Sequence, residues 1–337
     1  MKVLLTGAGG FLGQHLAVSL LAGGVEGLRL HFRRSPPQGF VETLQARFPE
    51  AAIQVVFANL ASRQGLTDII GNADCILHAA AGMRGASADM FANTVVGTRN
   101  LLEAAGAAGV GRIVLISSFS VFRTSQLESG AILTEETPVE PVGVERGSYA
   151  FAKTRQEQIF REMQSRFNFD WSIVRPGVIY GPGGPVLSSR VGIQAFGLFF
   201  SLGGNALLPL THVENCSDAI ARVTLQARSG SVFNIVDDDL PTCRAYLRAY
   251  RVRVRPLRVV PVPYALLLLG SSGLARYSRA SRGQLPAILT PYTVRSMFRP
   301  LRYSNDALKG LGWRPRIPTA EALDSYFAYL AAGIRSG

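Results

Sequence analysis

Residues 6–13 read TGAGGFLG, and the spacing of glycine within them decides how the chain folds. Gly7, Gly10 and Gly13 follow a short apolar run at 3–5 and lead into a helical pattern at 11–22. Three demands meet there: a turn too tight for a Cβ, a backbone that a ligand can approach closely, and a helix packed hard on the preceding strand. A helix opening at such a turn presents unpaired N–H groups and a partial positive charge, which suits a pyrophosphate. Glycines alone are a weak signal. Set after a strand and before a helix, in a strand–helix–strand unit of about 30 residues, they predict a dinucleotide-binding turn.

The same rhythm continues outward. Apolar runs rich in branched residues at 3–5, 28–32, 53–57, 75–77, 112–117 and 171–175 alternate with helical patterns at 11–22, 41–48, 63–70, 90–107 and 149–167. Strict alternation implies a parallel sheet covered on both faces, a doubly wound α/β architecture of the Rossmann type. After Arg175 the rhythm fails, and RPGVIYGPGGP at 175–185 reads as loop. A helix near 218–227 and a buried strand at 232–236 return the chain to the sheet, and a last helix covers 319–332. The expected organisation is a dinucleotide-binding domain of residues 1–176 and 207–236, with 177–206 and 237–337 forming a smaller, largely C-terminal substrate lobe.

Composition narrows the class. The chain has 337 residues, 47% of them hydrophobic and 17% charged, as in a folded protein with a large core. Cys75, Cys216 and Cys243 are far apart, offering neither a disulfide framework nor a CxxC pair, and the four histidines are scattered. No metal centre is expected, and a reducing, cytoplasmic setting is. The N-terminal apolar run is cut short by Thr6 and the glycines at 7, 9, 10 and 13, against a secretory signal. The nearest approach to a membrane span, PYALLLLG at 263–270, falls far short of ~20 apolar residues. From Arg244 to Arg302 there are twelve arginines and no acidic residue, in a chain of net charge +12. That block reads as a solvated face in an arginine-rich chain, or as suited to an anionic or sugar-phosphate ligand or a peripheral membrane contact, and nucleic acid is excluded because aromatic interleaving is absent. Asp237, Asp238 and Asp239 read as a turn after a strand, since no calcium-loop spacing follows.

The second strand ends HFRRS, where an acidic residue would select NAD; Arg33 and Arg34 suit a 2′-phosphate and favour NADP, with NAD as the alternative. Against 32 arginines the chain holds three lysines, so the lysine of SYAFAK at 148–153 stands out. If Tyr149 opens a helix, Lys153 lies one turn on and shares its face. A phenol of pKa about 10 is a poor proton carrier at neutral pH, and a fixed cation beside it favours the phenolate. A compact ammonium can do this and also donate to a ribose hydroxyl, whereas a guanidinium is broader and planar. ISSFSVF at 116–122 ends the fifth strand at the edge where doubly wound sheets bind ligands. Ser118 is the candidate to hold the reacting oxygen, with Ser117 and Ser120 as rivals.

In order along the chain, TGAGGFLG, ILHAAAG (76–82), NTVVGTRNLLEAA (93–105), ISSFSVF, YAFAK, RPGVIYGPGG (175–184), HVENCSDAI (212–220) and LGWRP (311–315) resemble the extended short-chain dehydrogenase/reductase family, in its NAD-dependent epimerase/dehydratase branch. The resemblance implies a catalytic trio of Ser118, Tyr149 and Lys153 and reversible hydride transfer at a carbinol carbon. Around the cofactor it implies Gly7, Gly10, Phe11, Leu12, Gly13, Asn59, Leu60, Ala79, Ala80, Ala81, Asn93, Pro176 and Val178. There are two departures, the first minor because an amide can still meet the adenine, the second weakening a nucleotide-sugar assignment. Asn59 stands where many members have an aspartate near the adenine, and Val178 where many nucleotide-sugar members have an asparagine on the substrate diphosphate. The leading expectation is a dehydrogenase, reductase, epimerase or dehydratase acting on a sugar-like alcohol or ketone, nucleotide- or lipid-linked in polysaccharide biosynthesis. The alternatives are a 3β-hydroxysteroid-type dehydrogenase, which RPxxIYGP, the apolar VPYALLLLG and LGWRP resemble, and a cofactor-binding sensor without turnover. Family habit implies a homodimer.

Overall fold

The computed structural model describes residues 1–83, 85–141, 146–280 and 289–335. Arg282, one of the twelve arginines of the basic block, lies outside the described residues. The first half alternates β1 (Lys2–Thr6), α1 (Phe11–Ala22), β2 (Gly27–Phe32), α2 (Phe40–Arg47), β3 (Ala52–Phe57), α3 (Leu66–Ile70), β4 (Cys75–His78), α4 (Ser87–Phe91), α5 (Gly97–Ala107) and β5 (Arg112–Ile116). Then come β6 (Ile132–Leu133), α6 (Ser148–Phe167), β7 (Asp170–Pro176), β8 (Val178–Tyr180), β9 (Gly192–Ala195), β10 (Leu198–Ser201), β11 (Leu210–His212), α7 (Val213–Gln226) and β12 (Ser231–Ile235). The remainder is α8 (Cys243–Arg253), β13 (Val259–Pro261), α9 (Tyr264–Ala280), α10 (Pro291–Phe298), β14 (Arg302–Tyr303), α11 (Asp306–Gly310) and α12 (Thr319–Arg335).

Seven strands form one parallel sheet in the order β12-β7-β5-β4-β1-β2-β3. The expected Rossmann-type α/β fold is therefore present. Its strands are buried on both faces, so they are apolar throughout rather than alternating. Leu5 packs with Leu16, Leu20, Ile220 and Val223 under α1 and α7, and its neighbour Leu4 packs with Leu101, Leu102, Ile159 and Phe160 under α5 and α6. The strand order reverses between β1 and β4, and the crevice beyond their carboxyl ends is where such sheets take ligands.

Local departures from the sequence pattern have physical causes. The helix expected over 63–70 is confined to Leu66–Ile70, because Gly65 at φ +74° turns the chain just before it. The helix expected from 90 starts at Ser87 and passes through a π-helical turn at Ala92–Val96. The segment after Arg175, read as loop, contains β8, whose partner β11 lies some thirty residues on and leaves no local trace. Outside the large sheet, β9, β10 and β13 make a three-stranded sheet, beside which α9 and α10 pack through Leu202, Leu267, Val294 and Phe298. Asp237 is a structural group: its carboxylate accepts bonds from Thr211 Oγ1 (3.1 Å), the His212 N–H (2.8 Å) and Asn215 Nδ2 (3.1 Å).

Candidate active site

A cleft of about 1040 Å³ opens at the carboxyl ends of the central strands. All the residues expected at the site line it: Gly7, Gly10, Phe11, Leu12, Gly13, Arg33, Arg34, Asn59, Leu60, Ala79, Ala80, Ala81, Asn93, Ser117, Ser118, Ser120, Tyr149, Lys153, Pro176 and Val178. The fold brings them together because β1, β2, β4, β5 and β7 all end at this edge and α6 starts there.

The glycine turn is built to hold an anionic group against the backbone. Gly7 sits at φ +73°, and a Cβ on Gly13 would stand 2.1 Å from the Gly7 carbonyl oxygen. Thr6, the last residue of β1, fixes the other lip: its Oγ1 accepts the N–H groups of Ala79 and Ala80 at 3.1 and 3.2 Å. Arg33 reaches across the mouth and donates to Asn93 Oδ1 at 3.2 Å, from a position on the π-helical turn. Inserted π turns recur at functional sites, and here the turn carries Asn93 into the cleft. This cradle, with its flanking arginines, fits a dinucleotide.

Tyr149 and Lys153 lie one turn apart on α6. Burial raises the Tyr149 pKa above the usual phenol value, and a hydrogen bond with Ser118 opposes it. Ser118 Oγ also accepts the Ser120 N–H at 3.1 Å, which fixes its rotamer. Ser117 and Ser120 carry buried hydroxyls with no partner among the described residues. The Lys153 side chain is 3% exposed. Its ammonium donates to the Ile116 carbonyl (2.8 Å) and to Gln156 Oε1 (2.8 Å), leaving one of three N–H donors. Burial pushes its pKa down to about 8, against the Glu157 charge, which raises it. The ammonium is therefore held by α6 and β5 rather than bonded to the phenol.

Three groups were not foreseen. Behind Lys153 runs a buried polar chain in which Gln156 Nε2 donates to Thr98 Oγ1 (2.8 Å), Thr98 Oγ1 meets His78 Nε2 (2.8 Å), and His78 Nδ1 meets Thr6 Oγ1 (2.8 Å). Burial holds the His78 pKa down to about 3, so its ring is neutral. Glu157, one turn beyond Lys153, takes a bidentate bond from Arg175 at 2.9 and 2.8 Å, with both side chains buried. Arg146 and Arg190 line the cleft as well. Thr6, His78, Thr98 and Arg175 fall within quoted motifs, but their pairings depend on neighbours distant along the chain.

The comparisons with known proteins agree with this geometry. A profile of the NAD dependent epimerase/dehydratase family matches residues 3–236. The sterol-4-alpha-carboxylate 3-dehydrogenase, decarboxylating, of Dictyostelium discoideum is 26% identical over 281 residues, 80% of this chain and 82% of that protein. The 2-alkyl-3-oxoalkanoate reductase of Stenotrophomonas maltophilia is 30% identical over 201 residues, 58% of this chain and 56% of that one. Among solved structures, a dTDP-glucose 4,6-dehydratase from Streptomyces venezuelae with NAD bound superposes with a TM-score of 0.74 at 20% identity, covering 100% of this chain and 98% of that one. With the glycine cradle, Ser118, Tyr149 and Lys153 on one cleft, and the match spanning most of the sheet, the chain belongs to the NAD dependent epimerase/dehydratase family.

Proposed function

We propose that the chain is an NADP(H)-dependent oxidoreductase that interconverts a secondary alcohol and a ketone on a substrate with a large apolar body. One observation carries this reading: Tyr149, Ser118 and Lys153 stand in the same cleft as the glycine cradle and a set of apolar side chains. When bound, the nicotinamide supplies the acceptor or donor of hydride. Tyr149 takes the hydroxyl proton in oxidation and returns it in reduction, the Ser118 hydroxyl fixes the reacting oxygen, and the Lys153 charge one helical turn away favours the phenolate through space. Arg33 and Arg34 support NADP over NAD through the 2′-phosphate.

The wall of Val186, Leu187, Leu208, Leu210, Tyr246 and Met297 supports the apolar substrate class over a free sugar, which needs many polar partners. Two relatives bear names of this class, sterol-4-alpha-carboxylate 3-dehydrogenase and 2-alkyl-3-oxoalkanoate reductase. In both names a carboxylate is borne by the carbon next to position 3. A sugar-nucleotide substrate, as named for the dehydratase, is the second reading, favoured by the superposition of the whole fold.

We propose a substrate lobe, a membrane contact, a cytoplasmic setting and a homodimer as well. The substrate lobe of 177–206 and 237–337 is supported by the cleft residues it contributes. No helix is long and apolar enough to cross a membrane among the described residues. The outward face of α9 is apolar, with Leu266, Leu269, Leu274 and Tyr277 exposed beside Arg276, and the exposed Arg255 and Arg258 precede it. That supports docking on an anionic membrane surface. Three free, buried cysteines support a cytoplasmic setting, and the homodimer rests on family resemblance.

The test incubates the protein with NADPH or NADH and three panels, 3-oxo acids, sterol acids and nucleotide sugars, following cofactor absorbance and sugar isomerisation. NADPH consumption with an apolar panel is expected, and Tyr149→Phe should lose about 10²–10⁴-fold in kcat while still binding NADPH. Sugar isomerisation without net NADPH consumption would establish the second reading instead.

A further inference from the structure

The cleft has an unusual charge balance. Among the described residues its lining includes Arg33, Arg34, Arg146, Lys153 and Arg190 and no aspartate or glutamate. Arg33 and Arg34 belong to the cofactor end and Lys153 to the tyrosine, so Arg146 and Arg190 are charges that the mechanism does not use. Each spends one N–H on a carbonyl: Arg146 on Phe122, in the stretch that follows Ser118, and Arg190 on Met297 at 3.1 Å. A guanidinium has five donors, so most of each has no partner among the described residues. Neither is ion-paired to a carboxylate among the described residues.

Both side chains are held in place. Arg146 precedes Tyr149 by three residues and is tied to the segment bearing Ser118, so its guanidinium is fixed to both halves of the reacting centre. Arg190 bonds through its backbone to Ser188 and Cys243, and it precedes the fully buried Val191. The two charges act on each other: burial, then repulsion by Arg190, brings the Arg146 pKa down to about 10, with Tyr292 and then Glu140, the latter beyond ion-pair distance, opposing. Two partly desolvated cations facing one space are relieved by an anion, and a planar carboxylate matches the guanidinium fork.

We propose that Arg146 and Arg190 form an anchoring subsite for a substrate carboxylate, placed so that the carbon bearing the reacting oxygen meets Tyr149 and Ser118. This rests on the oxidoreductase reading and deepens it, by making the substrate an apolar 3-hydroxy or 3-oxo acid. The arginines hold the acid group, the apolar wall takes the body, and the tyrosine handles the proton at position 3.

The experiment has two arms. In the first, NADPH-dependent reduction of 3-oxodecanoate is compared with that of its methyl ester. The acid is expected to exceed the ester in kcat/KM by about 10–100-fold, and the ratio to collapse toward one in Arg146→Gln and Arg190→Gln, with partial recovery in Arg190→Lys. Equal turnover of acid and ester by the unaltered protein, or an unchanged ratio in both variants, overturns the subsite. In the second, calorimetry of the NADP⁺-loaded protein with decanoate, decyl phosphate and decanol reads the subsite without turnover. Decanoate binding that both glutamine variants lose supports the subsite even if no ketone is reduced, so failure of the oxidoreductase reading is recognised separately. Decanol bound as tightly as decanoate overturns it, as does a preference for decyl phosphate over decanoate.

Discussion

The Lys153 ammonium donates to the Gln156 side-chain oxygen across 2.8 Å. Through Gln156 it is joined to Thr98, His78 and Thr6, and so to the strand that carries the glycine turn. A buried cation is costly unless its donors are used, and a bond to an oxygen acceptor favours its charged form.

From this follows a prediction for Gln156→Leu. Losing the acceptor should lower the Lys153 pKa below its value of about 8, moving the alkaline limb of the kcat/KM profile down by about one to two pH units. Gln156→Glu should move it the other way. Profiles that coincide with the unaltered protein would refute the role, which is one of positioning and charge rather than contact with substrate.

Cofactor choice is tested at Arg33 and Arg34. Replacing both with serine should weaken NADPH binding by about 10–100-fold and NADH binding far less, by fluorescence titration. Because Arg33 also holds Asn93, Arg34→Ser alone separates phosphate recognition from that bond. Parallel losses for both cofactors would point to a structural role only.

Stability should depend on acid through His78. Its pKa falls from 6.5 to about 3 on folding, so the unfolded chain binds a proton that the folded chain refuses. The contribution is present above pH 6.5 and is lost as pH falls toward 3. Asp237 acts oppositely: raised from 3.8 to about 6, it favours the folded chain below 3.8 and loses that contribution as pH rises through 6. In thermal melts, His78→Gln should flatten the acid side of the Tm profile and Asp237→Asn should steepen it. A His78→Gln profile parallel to that of the unaltered protein at every pH would refute the assignment.

Membrane docking makes a salt-dependent prediction. The protein should sediment with vesicles containing phosphatidylserine at low salt and be released at high salt, with little binding to phosphatidylcholine alone. Leu266→Asp with Leu269→Asp should abolish sedimentation, since both side chains lie on the exposed face of α9. Binding that persists in that double variant would place the contact elsewhere.

The sequence by itself determined the parallel sheet, the glycine cradle and the Tyr149–Lys153 pair. Each is written in a local pattern: apolar runs alternating with helical periods, three glycines at one strand end, two residues one helical turn apart. Tertiary structure alone decided the rest. The short strand β8 needed β11 to pair with, and the π turn at Ala92–Val96 needed its packing against α6. Arg146 and Arg190 are 44 positions apart and look like any other members of an arginine-rich chain until folding sets them on one cleft. Lys153 is tied to Thr6 through side chains from four separate elements. Periodicity records which face of an element is buried; which polar groups meet across the core is fixed only when the elements pack.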